Sequence, residues 1–322
     1  MSTAKVKTAV VGVGHLGKFH AQKHKMLENA ELIGVCDLNR EFAEKVAGDL
    51  GVTAYTDPRQ LIQDGVEAVA VAASTPAHYE LVKLFLSHRV HTLVEKPIAS
   101  SAVQAEELCA LAEQKGAKLQ VGHVERFNPA FQSARKKITK PLFIECHRLA
   151  PFKVRSTEVD VVLDLMIHDL DVVLSLVQSE PTMVSAVGTP VMTKKLDIAN
   201  ARIEFESGAV ANLTASRISQ NTQRKFRLFQ KDQYVSIDFQ GGEVNLLTKT
   251  GEWNPADISG GGEDLPIEHE HFNLEKGDAL LEETRAFINA VVNNQPVEVS
   301  GRDGLKALSL AEKIIGNALK RL

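Results

Sequence analysis

Three side chains of this sequence, Lys96, Asp164 and His168, could together move a proton and stabilise a developing negative charge. Asp164 and His168 are four residues apart in an apolar segment, so on a helix they lie one turn apart and can hydrogen-bond. The carboxylate would then fix the tautomer of the imidazole and raise its basicity, as a general base requires. Lys96 precedes Pro97, which predicts an extended backbone at the end of a strand. If that strand belongs to a parallel sheet, its carboxyl end is where ligands bind.

The segment that would carry Asp164 and His168 is predicted to be a helix over residues 160–177, built mostly from Val, Leu, Ile and Met. At ~100° per residue its polar positions form one narrow stripe, with Asp169 outside it. We interpret this as a mostly buried helix whose polar stripe lines a cleft; the alternative is an amphipathic helix whose aspartates face water. For Lys96 the alternative is a surface ion pair with Glu95 or a neighbour. The stripe consists of Asp160, Asp164, His168, Asp171 and Ser175.

A glycine-rich loop near the N-terminus has the spacing of a dinucleotide-binding turn. Gly12, Gly14 and Gly17 follow an apolar strand and open a helix, and Asp37 ends the next strand 20 residues after Gly17. Gly12 would allow the tight turn, Gly14 the approach of a pyrophosphate, and Gly17 close helix–strand packing. Asp37 could accept both ribose hydroxyls, which favours NAD, although Arg40 is near enough to leave NADP possible. The alternative is a tight turn without a ligand.

Further cofactor contacts are expected at the carboxyl ends of the following strands. Ser74 and Thr75 could reach the nicotinamide ribose, and capping of the next helix is their alternative role. The remaining cofactor-binding candidates on these turns are His15, Leu16, Pro76, His78, Glu95 and Lys96.

Substrate contacts are expected after Gly122, where the regular alternation of strands and helices ends. Arg126, Lys153 and Arg155 could hold a diphosphate, because guanidinium groups suit phosphate oxygens; solvated loop charges are the alternative. His123 and Asn128 are further candidates, and the alternative for His123 is a structural role.

Two groups of histidines are close enough in sequence to be considered as metal ligands. His20 and His24 are four residues apart, and His269 and His271 flank Glu270. Neither pair has third and fourth ligands at metal spacing, so no metal is expected.

The order of predicted elements indicates two domains of different class. Residues 1–122 alternate strands with helices, which predicts a doubly wound parallel Rossmann sheet. Between residues 183 and 249, strands follow one another through short turns, which predicts a mostly antiparallel open sheet in an α+β domain. We expect a dinucleotide-binding domain at 1–122 and a substrate-binding and oligomerisation domain at 123–322, whose last helix could pack back on the first. Residues 252–273 are expected to form a loop.

Composition narrows the classes of function. The chain has 322 residues, 44% of them hydrophobic and 24% charged, which is typical of a globular protein. A net charge of -4 disfavours nucleic acid and anionic membrane as partners. Three scattered cysteines and the lack of a signal-peptide pattern favour a reducing cytoplasm.

Three motifs in order resemble a known family. Gly12-x-Gly14-x-x-Gly17, Glu95-Lys96-Pro97 and Asp164-x-x-x-His168-Asp169 are similar to those of the glucose–fructose oxidoreductase/inositol dehydrogenase/rhizopine-catabolism (Gfo/Idh/MocA) family, and the resemblance covers essentially the whole chain. It implies that Lys96, Asp164 and His168 form a catalytic triad. It also implies a homodimer or homotetramer formed through the sheet of the second domain.

The resemblance implies an NAD(P)-dependent oxidoreductase that acts on a secondary ring hydroxyl. Segments 122–129 and 166–171 are most similar to members that act on nucleotide sugars, and the best expectation is UDP-N-acetylglucosamine oxidised at C3. A dehydrogenase of a free sugar or inositol, an NAD-assisted glycosidase and a non-catalytic redox sensor are the alternatives.

Overall fold

The chain forms two compact units. The computed structural model describes residues 5–154, 158–252, 265–275 and 277–322. The first unit runs to Phe127 and includes Asp278–Ser309, and the second comprises Asn128–Gly277 with Leu310–Leu322.

A six-stranded parallel sheet forms the centre of the first unit. Its strands lie in the order β3-β2-β1-β4-β5-β6, the order of a doubly wound dinucleotide-binding sheet. Their apolar side chains are buried on both faces, as the continuous apolar runs predicted. The strands are β1 (Val6–Val11), β2 (Ala30–Cys36), β3 (Thr53–Tyr55), β4 (Ala68–Val71), β5 (His91–Glu95) and β6 (Leu119–Gly122).

Helices connect these strands, and some of them begin at capping residues visible in the sequence. The Asn39 side chain accepts hydrogen bonds from the amides of Glu41 and Phe42, and Ser101 accepts one from Gln104. These caps help to fix where α2 and α5 start. The helices are α1 (Gly17–Met26), α2 (Arg40–Leu50), α3 (Pro58–Gln63), α4 (Thr75–Ser87) and α5 (Ala102–Lys115), followed by a 3-10 turn at Val124–Phe127.

An eight-stranded sheet forms the second unit. All its strand pairs are antiparallel except that of β7 with β10, in the order β14-β13-β12-β11-β7-β10-β9-β8. The strands are β7 (Pro141–Leu149), β8 (Pro181–Thr189), β9 (Ile198–Phe205), β10 (Val210–Ser216), β11 (Gln223–Gln230), β12 (Gln233–Asp238), β13 (Glu243–Lys249) and β14 (Ile267–Asn273). One face packs on α6 (Pro129–Arg135) and α7 (Ile167–Val177) through a core that includes Phe131, Leu170 and Phe226.

Strand β14 corrects one expectation. Residues 252–273 were expected to form a loop, but Ile267–Asn273 pairs in antiparallel register with β13. The acidic composition concealed an alternating pattern that suits an edge strand, where charged side chains discourage further pairing. The rest of that expected loop lies largely outside the described residues.

The segment at 160–177 differs from a single α-helix. Val162–Met166 is π-helical, and the α-helix proper begins at Ile167. Each π-turn adds a residue to the turn, so a stripe calculated at a constant angle per residue does not hold through this segment.

Two further helices close the chain, α8 (Ala279–Val292) and α9 (Gly301–Leu319). The Asp278 side chain caps α8 by accepting a hydrogen bond from Leu281. In the parts of the chain that the structure describes, no helix combines the length and apolarity needed to cross a membrane.

Candidate active site

The glycine turn has three different steric environments, one for each glycine. Gly12 has φ of 83°, and a Cβ there would lie 2.5 Å from the backbone nitrogen of Ala73. A Cβ on Gly17 would lie 1.7 Å from the carbonyl oxygen of Gly12. By contrast, a Cβ on Gly14 would meet nothing within 4 Å. The first and third glycines are therefore required by the protein's own packing, whereas the second leaves open space where a phosphate could approach the backbone.

Asp37 is fixed in place by backbone amides. Its Oδ2 accepts from the amide of Val13 at 2.8 Å, and its Oδ1 accepts from the amide of Asn39 at 2.9 Å. Each oxygen keeps lone-pair capacity for a ribose hydroxyl. Arg40 is exposed and lies 3.9 Å from Glu44, one helical turn away. Of these two candidates, Asp37 is the one whose side chain is held by backbone amides, and its carboxylate would repel a 2′-phosphate.

The remaining cofactor candidates occupy different environments. His15, Leu16 and Ser74 are exposed on the turns, whereas Thr75 and Pro76 are the first two residues of α4, half-buried and exposed respectively. Ser74 is at the N-cap position, but its side chain makes no capping hydrogen bond. The hydroxyl of Ser74 is therefore not engaged in the alternative role that we considered for it.

His78 is buried and bridges two turns. Its Nδ1 lies 2.9 Å from the carbonyl oxygen of Pro97, and its Nε2 lies 3.0 Å from that of Ala73. Both ring nitrogens thus face backbone carbonyl groups. His78 links the turn after β4 to the turn after β5.

Lys96 follows β5 directly, as its position before Pro97 predicted. The peptide bond between Lys96 and Pro97 is cis. The backbone amide of Lys96 donates to Oε2 of Glu95 at 3.2 Å, while Oε1 of Glu95 lies 2.7 Å from Nε2 of His20 on α1. Lys96 itself is half-buried, so its turn is held by a buried carboxylate and a buried imidazole.

The charge state of Glu95 follows from its surroundings. Burial alone would raise the pKa of the carboxyl, but the hydrogen bond and charge of His20, the charge of Lys96 and the Lys96 amide lower the pKa below its ordinary value. An ionised carboxylate only accepts hydrogen bonds, so Nε2 of His20 donates to it.

A second carboxylate, from Glu283 on α8, lies in the same cluster. One ligand-type atom from each of His20, Glu95 and Glu283 lies within 4.8 Å of the other two. Two ligands at ~2.0–2.1 Å from one tetrahedral zinc ion would be ~3.3 Å apart. The 2.7 Å separation of His20 and Glu95 is that of a hydrogen bond. The arrangement as it stands therefore fits a buried polar network better than two ligands of one ion.

Asp164 and His168 lie in the second unit, in the π-helical segment and the first turn of α7. Both are half-buried, and no member of the predicted polar stripe is exposed. This burial agrees with a mostly buried helix and not with aspartates that face water. The predicted hydrogen bond between Asp164 and His168 stays a prediction.

Asp169, which lies off the stripe, has a structural role. Its two carboxylate oxygens accept from Nε and Nη2 of Arg148 at 2.9 and 2.8 Å, and both side chains are buried. This bidentate pair fixes α7 against β7, and therefore fixes the helix that carries His168.

The substrate candidates are buried to different degrees. His123 and Arg126 are 1% and 5% exposed, so Arg126 is not a solvated loop charge. Asn128 caps α6, accepting from the amide of Ala130 at 3.0 Å. Lys153 is exposed, and Arg155 lies outside the described residues.

Comparison with known proteins supplies the family. Residues 6–123 match the model of an oxidoreductase family with an NAD-binding Rossmann fold, and residues 134–236 match the GFO/IDH/MocA C-terminal domain. The chain is 37% identical over 310 residues to the UDP-N-acetylglucosamine 3-dehydrogenase of Acidithiobacillus ferrooxidans, covering 96% of each chain. This chain belongs to the Gfo/Idh/MocA family of oxidoreductases.

Two further comparisons support the assignment. A crystal structure of the Acidithiobacillus enzyme superposes with a TM-score of 0.90 at 36% identity, covering 97% of each chain. The myo-inositol 2-dehydrogenase of Thermotoga maritima is 26% identical, covering 95% of this chain and 94% of the relative. This member of the family is accordingly an NAD-binding dehydrogenase, which confirms the predicted family, fold class, enzyme class and cofactor.

His20 is the residue whose role our sequence reasoning missed. We considered it only with His24 as a metal pair, whereas its partner is Glu95, 75 residues away. The available signal was its position three residues after Gly17, on the helix that follows the glycine turn.

Proposed function

We propose that the chain oxidises the 3-hydroxyl of UDP-N-acetylglucosamine to a ketone with NAD. The observation that carries this proposal is the 37% identity with a UDP-N-acetylglucosamine 3-dehydrogenase over 96% of both chains. A match of that length includes both the first unit, which would bind the cofactor, and the second unit. The second unit would largely determine substrate choice.

The proposed chemistry assigns one task to each polar group. His168, oriented by Asp164, takes the proton of the substrate hydroxyl. The Lys96 ammonium donates a hydrogen bond to the same oxygen as negative charge develops on it. NAD, when bound, accepts the hydride from the substrate carbon. Lys96 and His168 are both candidates for the formal base.

The cofactor would be held by the turns of the first unit. Gly14 and the amino end of α1 would receive the pyrophosphate, and Asp37 the adenosine ribose. His15, Leu16, Ser74, Thr75, Pro76, His78 and Glu95 complete the proposed cofactor site, and Arg40 leaves NADP as a second cofactor.

The substrate would be held by Lys96, Asp164 and His168 around its reacting hydroxyl. His123, Arg126, Asn128 and Arg155 are proposed to bind the rest of the nucleotide sugar. The buried guanidinium of Arg126 supports a role toward the diphosphate, because a desolvated arginine binds an anion more strongly than an exposed one.

The test uses substrate deuterated at one carbon. With NAD and UDP-N-acetylglucosamine carrying deuterium at C3, we expect NADH absorbance to rise and the deuterium to appear in the reduced cofactor. Unlabelled NADH would refute oxidation at C3. Turnover of myo-inositol in preference to the nucleotide sugar would favour the second candidate, an inositol dehydrogenase, which the similarity to the Thermotoga enzyme supports. Release of an aglycone without net NADH would indicate a glycosidase, and NAD binding without either reaction a sensor.

The proposed roles of Lys96 and His168 have a matched control. Lys96→Ala and His168→Ala should each abolish hydride transfer while NAD still binds, as measured by titration of the purified protein. Lys25→Ala, which removes an exposed lysine, should retain activity. Wild-type turnover in either active-site variant contradicts the assignment.

We also propose that the protein is a cytoplasmic homodimer or homotetramer, formed through the sheet of the second unit. Phe229 and Leu247 on this sheet are 39% and 36% exposed, which supports a covering partner. Light scattering of the purified protein measures the assembly directly.

A further inference from the structure

The turn that carries Lys96 is held by two buried histidines that come from different helices. We call Glu95, Lys96 and Pro97 the lysine turn. On one side, His20 of α1 contacts the Glu95 carboxylate at 2.7 Å, and the same carboxylate accepts the Lys96 amide at 3.2 Å. On the other side, His78 of α4 lies 2.9 Å from the carbonyl oxygen of Pro97. The side chain of Lys96 is thus attached to a backbone whose polar groups are held on both flanks.

The contact between His20 and Glu95 matters because both groups are removed from water. His20 is fully buried and Glu95 is 8% exposed. Loss of His20 would leave the buried Oε1 of Glu95 without this donor, which is costly, so the carboxylate would rotate toward another donor or toward solvent. Either movement would release the amide of Lys96 from Oε2 of Glu95. The orientation of the lysine turn therefore depends on the side chain of His20, which acts through its hydrogen bond to Glu95.

His24, one turn further along α1, provides an internal comparison. It is also fully buried, but neither of its ring nitrogens has a hydrogen-bond partner in the described part of the chain. Burial, and secondarily the charge of His20, lower the pKa of His24 to about 3, so this imidazole is neutral. His24 fills space on the same helix face, whereas His20 makes a hydrogen bond to a group that holds the lysine turn.

We propose that His20 is a positioning residue for Lys96, acting through the carboxylate of Glu95. His20 lies three residues after Gly17, on the helix whose amino end would face the dinucleotide. Helix α1 would thus bind the cofactor at its amino end and hold the lysine turn through His20. This would keep Lys96 at a constant position relative to the cofactor. This inference rests on the proposed role of Lys96 in hydride transfer.

The kinetic test compares His20→Leu, His20→Gln and His24→Leu. The leucine variant removes the donor to Glu95, and a misplacement of about 1 Å at a reacting group costs ~100-fold in rate, so we expect kcat to fall by ~10–100-fold. The KM for NAD should change little, because the glycine turn is intact. The glutamine variant supplies an N–H near the position of Nε2 and should restore most of kcat. His24→Leu should keep wild-type kcat.

Two kinetic outcomes overturn the proposal. One is a folded His20→Leu variant with wild-type kcat. The other is an equal loss of kcat in His20→Leu and His24→Leu without recovery in His20→Gln, because that pattern reports only on packing of α1. Thermal unfolding of each variant identifies any that does not fold.

A second measurement needs no substrate and keeps this inference separate from the proposed function. Amide hydrogen exchange, read by mass spectrometry on peptides that span β5 and the lysine turn, reports the hydrogen bond of the Lys96 amide. We expect faster exchange at Lys96 in His20→Leu than in the wild type or His24→Leu. Unchanged exchange overturns the positioning role. If the wild type fails to oxidise UDP-N-acetylglucosamine, the proposed function fails while this comparison still decides the role of His20.

Discussion

Replacing Gly14 with alanine should weaken NAD binding without destabilising the protein. A Cβ at Gly14 meets no protein atom within 4 Å, and Gly14 is not among the glycines with positive φ. The free energy of unfolding should therefore change by no more than about 0.5 kcal/mol, or rise slightly through the lower entropy of the unfolded chain. The added methyl group occupies the space where the pyrophosphate would approach the backbone. Overpacking of about 1–3 kcal/mol then raises the Kd for NAD by ~5–150-fold.

Gly17→Ala is the matched control, because it adds the same methyl group three residues further along the turn, where the Cβ meets protein atoms and not the open space beside Gly14. The methyl group would lie 1.7 Å from the carbonyl oxygen of Gly12, so this variant should lose about 3 kcal/mol or more of stability. Calorimetric titration with NAD and thermal unfolding separate the two effects. A wild-type Kd for NAD in Gly14→Ala would refute the reasoning, as would an equal fall in Tm for both variants.

The remaining predictions concern the interior of the protein. Asp169→Asn removes the negative charge that accepts two hydrogen bonds from the buried Arg148 guanidinium and should cost about 3–5 kcal/mol in urea unfolding. An unchanged unfolding midpoint would show that the charge of Asp169 contributes nothing to stability. Burial raises the pKa of Cys36 to about 12 and that of Cys109 to about 11, above the ~8.5 of an unfolded thiol. The stability contributed by these protonated thiols is fully present below pH ~8.5 and decreases as the pH rises above it. Both thiols should resist iodoacetamide at pH 8 in the folded protein and react in urea; rapid alkylation of the native protein would contradict their burial.

Local pattern was enough to predict the strands, a helix start and the glycine turn in the N-terminal part of the first unit. Continuous apolar runs, the capping residue Asn39 and the glycine spacing each describe a few neighbouring residues, and the structure contains the corresponding strands, helix start and turn. Lys96 also lies where Pro97 predicted, at the end of β5. These features depend on backbone sterics and on burial of one strand at a time, which the order of residues encodes directly.

Two local predictions failed for identifiable reasons. The strand Ile267–Asn273 was expected to be loop because acidic composition outweighed its alternation, and its pairing depends on the availability of β13 as a partner. The π-helical turn at Val162–Met166 was invisible because its period differs from that of an α-helix only over five residues. Neither the presence of β13 as a pairing strand nor a single π-helical turn can be recognised from the local sequence.

The sequence by itself determined the glycine turn, the acid Asp37 and the placement of Lys96 at a strand end, because each follows from residues close together in the chain. Only the tertiary structure decided which buried polar groups meet. His20 could have paired with His24 around a metal, but the packing of α1 brings it to Glu95 instead. The physical reason is that a hydrogen bond across 75 residues depends on how separate elements dock. Helix packing is set by the whole apolar surface, so the position of His20 three residues after Gly17 does not by itself identify Glu95 as its partner.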